Sequence, residues 1–314
     1  MSSSRLPRRL ALAAAATAAL LTAALTACGS SGMDHDMSGM NHGTTSAPAS
    51  ASATPGSEHS MPGMPGMDHS STPGMEGSSG LSDNQAGYRL TTRDTTVPAG
   101  KQADYAFTIT GPDGKQVTDF AVEQTKQMHS YAIRSDLTGF QHLHPTMATD
   151  GTWTAPLAAL TPGTWRLYTS FTPNSGDGKG NSLVLSRTVT VDGAASTEQL
   201  PAASATAEVD GYTVTVKGSP MANMAHEMTV SIAKDGKPVT DLQPYLDTYA
   251  HLTAFHAGDL AFAHLHPETT VNGDHGGPDL TFHAEFPQSG DWRLFLQFQT
   301  AGQLHTAALT LKVS

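Results

Sequence analysis

The sequence predicts an all-β protein: two tandem immunoglobulin-like β-sandwich domains behind a signal peptide and a disordered tether. Three observations carry that expectation. First, the chain repeats itself. Gln141-His142-Leu143-His144-Pro145 lies over Ala263-His264-Leu265-His266-Pro267, and Pro162-Gly163-Thr164-Trp165-Arg166-Leu167-Tyr168 answers Ser289-Gly290-Asp291-Trp292-Arg293-Leu294-Phe295. Second, apolar residues after the tether alternate with a period of two, as in Tyr105-Ala106-Phe107-Thr108-Ile109 and Met228-Thr229-Val230-Ser231-Ile232, the signature of half-buried strands. Third, no long stretch carries a helical period, and Val239 to Tyr249 has room for a helical turn at most.

Taken in order, residues 1–27 read as a lipoprotein signal peptide. Arg5, Arg8 and Arg9 form a basic start, and Leu10 to Ala24 is an apolar run too short for a transmembrane helix. Leu25-Thr26-Ala27-Cys28-Gly29 resembles a bacterial lipobox. That resemblance implies cleavage before Cys28, lipidation of its thiol, and anchoring to the outer face of the cytoplasmic membrane. Cys28 is the single cysteine of the chain. With it lipidated, no disulfide, thiolate zinc site, cysteine nucleophile or blue-copper centre is available. The formal charge of −11 becomes more negative still once the three arginines leave. Such a chain is a poor partner for nucleic acid and a reasonable one for cations.

Residues 28–84 read as the tether. Ser, Gly, Pro, Met and His dominate, and aliphatic residues are almost absent, so ordering would cost more than burial returns. The composition is nevertheless pointed. Met33, His35, Met37, Met40 and His42 form one cluster, and Met61, Met64, Met67 and His69 form another. Thioether sulfur is soft and favours Cu(I), while imidazole suits Cu(II) and zinc. The Met-x-x-Met-x-x-Met spacing points to copper more sharply than histidine alone, whereas a plain low-complexity spacer is the bland alternative.

Residues 85–193 and 207–314 read as the two domains, each about the usual size, with the Ala/Ser-rich stretch 194–206 as linker. Short strands, Gly/Pro turns and no pairing helices suggest sandwiches. Within each copy a hairpin carries the His-x-His pair. A two-residue turn at Gly258-Asp259 pairs Phe255 with Phe262, Thr253 with His264, and His251 with His266. The same register, turning at Asp136-Leu137, pairs Ile133 with Phe140, Tyr131 with His142, and His129 with His144. Opposed residues share a face with Cβ atoms about 4.5–5.5 Å apart. His129, His142 and His144 are therefore expected to converge, and so are His251, His264 and His266, as two separate facial metal sites. Met128, His256, His275, His283 and His305 are auxiliary candidates. A register slip of one residue would send His129 and His251 to the opposite face, and histidines that merely stabilise the hairpins are the structural alternative.

Lys126-x-Met128-His129, Arg134-x-Asp136-Leu137-x-x-Phe140-x-His142-x-His144-Pro145, Asp150-Gly151-x-Trp153 and Pro162-Gly163-x-Trp165-Arg166 resemble a bacterial extracytoplasmic β-domain family associated with heavy-metal and copper handling. In the second copy Ala250 stands in place of Met128 and His256 in place of Arg134. The resulting expectation is a lipid-anchored protein that buffers copper, confers resistance to it or delivers it, with copper as Cu(I) or Cu(II), or zinc, as its ion. A copper transporter or cuproenzyme would be its partner. The competing expectation is a structural or interaction module of the cell envelope that binds no metal. An enzyme is not expected, because Gly-x-Ser-x-Gly, Walker and His-Glu-x-x-His patterns are missing.

Overall fold

The computed structural model describes residues 79–314. Cys28 and the tether positions Met33, His35, Met37, Met40, His42, Met61, Met64, Met67 and His69 lie outside the described residues. The first copy consists of β1 (Asn84–Gln85), β2 (Tyr88–Thr92), β3 (Thr96–Val97), β4 (Ala103–Thr110), β5 (His129–Arg134), β6 (Gln141–Leu143), β7 (Thr146–Met147), β8 (Trp153–Leu157), β9 (Gly163–Phe171) and β10 (Leu183–Val191). One sheet runs β1-β2-β4-β8-β7 and the other β3-β10-β9-β5-β6. This is the strand order of an immunoglobulin-like sandwich, closed over Trp153, Trp165, Phe107 and Phe171.

The second copy consists of β11 (Thr206–Val209), β12 (Tyr212–Lys217), β13 (Ala225–Lys234), β14 (Lys237–Pro238), β15 (Ala250–His256), β16 (Phe262–Pro267), β17 (Asp279–Glu285), β18 (Gly290–Thr300) and β19 (Gln303–Val313). Its strands form one path, β11-β12-β13-β17-β16-β15-β18-β19, because β16 serves both layers. Phe262 to Leu265 pair with β15, and His266 and Pro267 pair with β17. In the first copy the same crossing falls between β6 and β7, on either side of His144 and Pro145. The His-x-His-Pro phrase is thus the corner where the chain changes sheets.

That crossing also corrects part of the expected pairing. The register itself is the expected one, with Tyr131 opposite His142, Thr253 opposite His264 and Phe255 opposite Phe262. However, the ladders stop at Ser130–Leu143 and Leu252–Leu265, so neither His129–His144 nor His251–His266 is a ladder pair. Nor are the loops two-residue turns. His256 N–H donates to the Ala261 carbonyl (2.8 Å), and Leu260 N–H to that of His256 (3.1 Å). In the first copy Arg134 N–H reaches the Thr138 carbonyl (3.0 Å), and Ile133–Phe140 drops out of the ladder. The cause there is Asp136, whose carboxylate accepts from the Arg134 guanidinium and the Thr138 hydroxyl and closes a wider loop.

The tether ends earlier than Asn84. Phe262 N–H donates to the Ser79 carbonyl (2.8 Å), Ser186 N–H to that of Ser82 (2.9 Å) and Leu90 N–H to that of Asp83 (2.8 Å). Gly80 is buried with φ +64°, and a Cβ there would lie 3.0 Å from Val184 and 3.1 Å from Phe262. A Ser/Gly run that reads as spacer is held here because its backbone groups find partners and its bare glycine fits.

Strands β5 and β15 are buried on both faces. One face of each looks into its own sandwich. The other meets the opposite copy in a shared apolar cluster of Tyr131, Ile133, Tyr168, Phe255, Phe262 and Phe295. Phe140 stacks on Phe295 with ring centroids 4.3 Å apart, and Tyr168 lies 5.3 Å from both Phe255 and Phe262. The two copies pack sheet against sheet through the faces that carry the histidines.

Candidate metal centre

On β5, His129, Tyr131 and Ile133 share the face turned towards the second copy, since alternate residues of a strand point the same way. His142 sits opposite Tyr131 on β6, with the two rings stacked at 4.7 Å. His144 follows two residues later. Ring centroids are 5.3 Å apart for His129–His142, 5.2 Å for His129–His144 and 4.7 Å for His142–His144. One nitrogen from each of the three lies within 4.8 Å of the others.

The hydrogen-bond partners fix the tautomers. His129 Nε2 is 3.1 Å from the Glu123 carbonyl oxygen, which only accepts, so Nε2 carries the proton and Nδ1 the lone pair. His142 Nδ1 is 2.8 Å from Gln297 Oε1, and Gln297 Nε2 lies 3.4 Å from the Thr306 hydroxyl. His142 Nδ1 is therefore the donor, and Nε2 has the lone pair. Yet His129 Nδ1 and His142 Nε2 face one another at 3.1 Å. Two lone pairs at that distance repel unless a cation lies between them. Beside them, His144 Nε2 is buried and has no hydrogen-bond partner. Adjacent nitrogens of a tetrahedral site with bonds of 2.0–2.1 Å are about 3.3 Å apart, so the spacing fits a metal ion.

A proton is a poor occupant. Burial, reinforced by the neighbouring imidazoles, pushes His142 well below its ordinary value and His144 down to about 4. Burial also lowers His129, against the pull of the Glu123 carbonyl. Neutral imidazoles are the form a metal requires. His129 and His142 also each place their other ring nitrogen against a carbonyl or amide oxygen, as metal-bound histidines do.

The second copy contributes His251, whose ring centroid is 5.7 Å from that of His142. His251 Nε2 donates to the Tyr245 carbonyl (2.9 Å), leaving a lone pair on Nδ1, and burial brings its pKa to about 4. Tyr245 stands to His251 as Glu123 stands to His129. Both carbonyls sit on tight turns with two consecutive positive-φ residues, Gln124 and Thr125 in one copy and Leu246 and Asp247 in the other. Non-glycine residues in that conformation cost about 1–3 kcal/mol each. Strain of this kind, placed identically twice, holds the two acceptors in position.

Among the described residues, one cluster stands at the junction of the copies: His129, His142 and His144, with His251 beside them. The reason is the apolar outer face of each sheet, which is buried only by stacking on the other. His264 is placed by register opposite Thr253. His266 pairs with His283; burial lowers its pKa, and the Glu123 carboxylate across the junction opposes that shift.

The auxiliary candidates have other work. Met128 is buried in the first sandwich core and accepts from the Thr169 hydroxyl through its sulfur (3.8 Å). His256 buttresses its hairpin, with Nδ1 2.7 Å from Asp259 and Nε2 3.2 Å from the Ser289 carbonyl. It replaces Arg134 in that role, and Gly290 at φ +134° makes room for it, since a Cβ there would lie 2.5 Å from its Nε2. His305 on β19 ties Asp210 (2.8 Å) to Thr300 (3.0 Å) at the end of β18. His275 and His283 lie beside Asp274 and Glu268, both at 3.8 Å.

Sequence reasoning missed Gln297 and the two carbonyls. Gln297 did leave a signal, being the polar residue in the otherwise apolar Leu294-Phe295-Leu296-Gln297-Phe298 strand, paired directly with His251. A backbone carbonyl leaves none.

Among solved structures, InvD of Yersinia pseudotuberculosis is similar at 16% identity and a TM-score of 0.24, over 74% of this chain and 58% of that one. The Escherichia coli adhesin FdeC is similar at 15% and 0.24, over 74% and 65%, and the tandem Ig repeats of Dlar at 9% and 0.20, over 72% and 97%. This chain spans less than two thirds of the first two. No curated protein matches it. One domain of unknown function, DUF8832, matches both copies, over residues 83–192 and 207–314, and the chain belongs to that family.

Proposed function

We propose that the protein is a lipid-anchored, extracytoplasmic metal-binding protein that holds one copper ion in the histidine cluster between its two sandwiches. The observation that carries this is the approach of His129 Nδ1 to His142 Nε2 at 3.1 Å, with the partnerless His144 Nε2 alongside. An all-imidazole set without thiolate suits Cu(II) and zinc, and copper stands above zinc in intrinsic affinity for nitrogen sites. The ion bridges two copies of one domain, so loading stiffens their junction. The anchor at Cys28 keeps the protein at the outer face of the cytoplasmic membrane. The Met/His tether gathers copper there and passes it to or from a transporter or cuproenzyme. The protein binds and transfers; it does not catalyse.

The test is metal titration of the full chain with Cu(II) and with zinc, comparing wild type with His142→Ala. Wild type is expected to bind one more equivalent than the variant, with electron paramagnetic resonance of the Cu(II) form showing coupling to three or four nitrogens. Equal stoichiometry in the two proteins overturns the reading. It would favour the structural module instead, for which the stacking of Tyr131 on His142 at 4.7 Å is the supporting contact.

A further inference from the structure

Where β12 leads into β13, the second sandwich carries a segment that repeats the wording of the tether. Met221-Ala222-Asn223-Met224-Ala225-His226 spells Met-x-x-Met-x-His, as do Met37-Ser38-Gly39-Met40-Asn41-His42 and Met64-Pro65-Gly66-Met67-Asp68-His69. The corresponding stretch of the first copy, Pro98 to Asp104, contains neither methionine nor histidine. The pattern was therefore not carried over with the repeat.

Methionine on a folded surface calls for a reason, because its thioether is apolar and readily oxidised. Among the described residues only four large hydrophobic side chains are exposed, and Met221 (41%) and Met224 (50%) are two of them. Met128 and Met228, by contrast, are buried in the two cores. The backbone fixes where the exposed pair stands. Ala222 N–H donates to the Ser314 carbonyl (2.9 Å) and Asn223 N–H to the Phe286 carbonyl (2.8 Å), and Asn223 takes φ +57°. Residues 222 and 223 are thus pinned as a turn, with Met221 and Met224 at its ends, where Cα atoms come within about 7 Å. His226 is two residues on, at the start of β13. Its Nε2 is buried without a hydrogen-bond partner.

Two thioethers and one unsatisfied imidazole nitrogen are soft and borderline donors, a set that selects Cu(I) over the hard cations. We propose that Met221, Met224 and His226 form a Cu(I) site on the second sandwich, matched in ligand type to the tether and separate from the inter-sandwich cluster. Because the ligand set is the same, copper passes between tether and domain without a change of oxidation state.

The experiment is a titration of the full chain, 13C-labelled at the methionine methyls, with Ag(I) as a redox-inert stand-in for Cu(I). Met221→Leu and Met224→Leu assign the two resonances. Both are expected to shift over the same range of Ag(I) as the tether methyls, with the Met228 methyl unmoved as a sign of an intact core. His226→Gln should weaken binding at both methionines at least tenfold. If Met221 and Met224 stay in place until the tether has saturated, or respond equally in His226→Gln, the site does not exist. The titration repeated on His142→Ala should give the same shifts, so failure here is distinguishable from failure of the histidine cluster.

Discussion

Replacing Gln297 with Leu tests the tautomer assignment on which the metal centre rests. Gln297 is buried, and its Oε1 accepts from His142 Nδ1 at 2.8 Å. Removing the acceptor strands a buried N–H, which ordinarily costs about 1–3 kcal/mol. Here the ring has an escape. His142 can move its proton to Nε2 and donate to His129 Nδ1, 3.1 Å away. The metal-free protein should then lose only about 1 kcal/mol, the low end of that range, while the lone pair needed for the ion is gone. Metal affinity should fall about 10–100-fold, as when an outer-shell partner is removed. Nitrogen-15 NMR of the imidazoles reads the protonated nitrogen directly, and competition with a chromophoric chelator reads affinity. Wild-type His142 should carry its proton on Nδ1 and the Gln297→Leu variant on Nε2. A wild-type ring protonated on Nε2, or a variant with unaltered affinity, would refute the argument.

Acid should weaken the metal-free protein. His251 falls to about 4 from a usual value of 6.5, so the unfolded chain binds more protons between those values, and stability present above pH 6.5 is lost as pH falls towards 4. For His251 alone this amounts to about 3 kcal/mol at pH 4, measurable by denaturant unfolding across pH; flat stability over that window would contradict the burial of this ring. Phe295→Ala removes the ring stacked on Phe140 and should cost about 3–5 kcal/mol. It should split thermal unfolding into two calorimetric transitions and weaken metal binding, since the cluster needs both copies in register. Deleting Met33 to Met75 should lower Cu(I) stoichiometry and leave the melting of the sandwiches nearly unchanged, as seen by calorimetry. Cys28→Ser should shift the protein from the membrane to the soluble fraction on cell fractionation.

The sandwiches were legible because their signals are local. Period-two alternation puts Tyr105, Phe107 and Ile109 inside β4, and the hairpin register followed from matching Phe255 with Phe262. What escaped was the relation between the copies. Tyr131, Ile133, Phe255 and Phe262 read as ordinary hairpin residues, and nothing in a one-dimensional pattern says whether an apolar outer face meets its own domain or a neighbour. The turns misled for a similar reason. Gly258-Asp259 satisfies a two-residue turn, but Asp259 also accepts from Ala261 N–H (3.0 Å) and bonds to His256 (2.7 Å), and those side-chain contacts select the four-residue loop. Met128 misled by adjacency: neighbouring residues on an extended chain point to opposite faces, so a methionine next to His129 belongs to the core.

The duplication is imperfect beside the histidine cluster. His129 and His251 occupy equivalent places, each held by a carbonyl on an equivalent strained turn. The repeat is exact there and broken at one facing position: β9 presents Ser170 opposite His129, where β18 presents Gln297 opposite His251. Only the longer amide crosses the junction, and it reaches His142. That contact fixes a lone pair on His142 Nε2, pointing at His129. The first copy, despite its fewer histidines, supplies three of the four rings described at the junction.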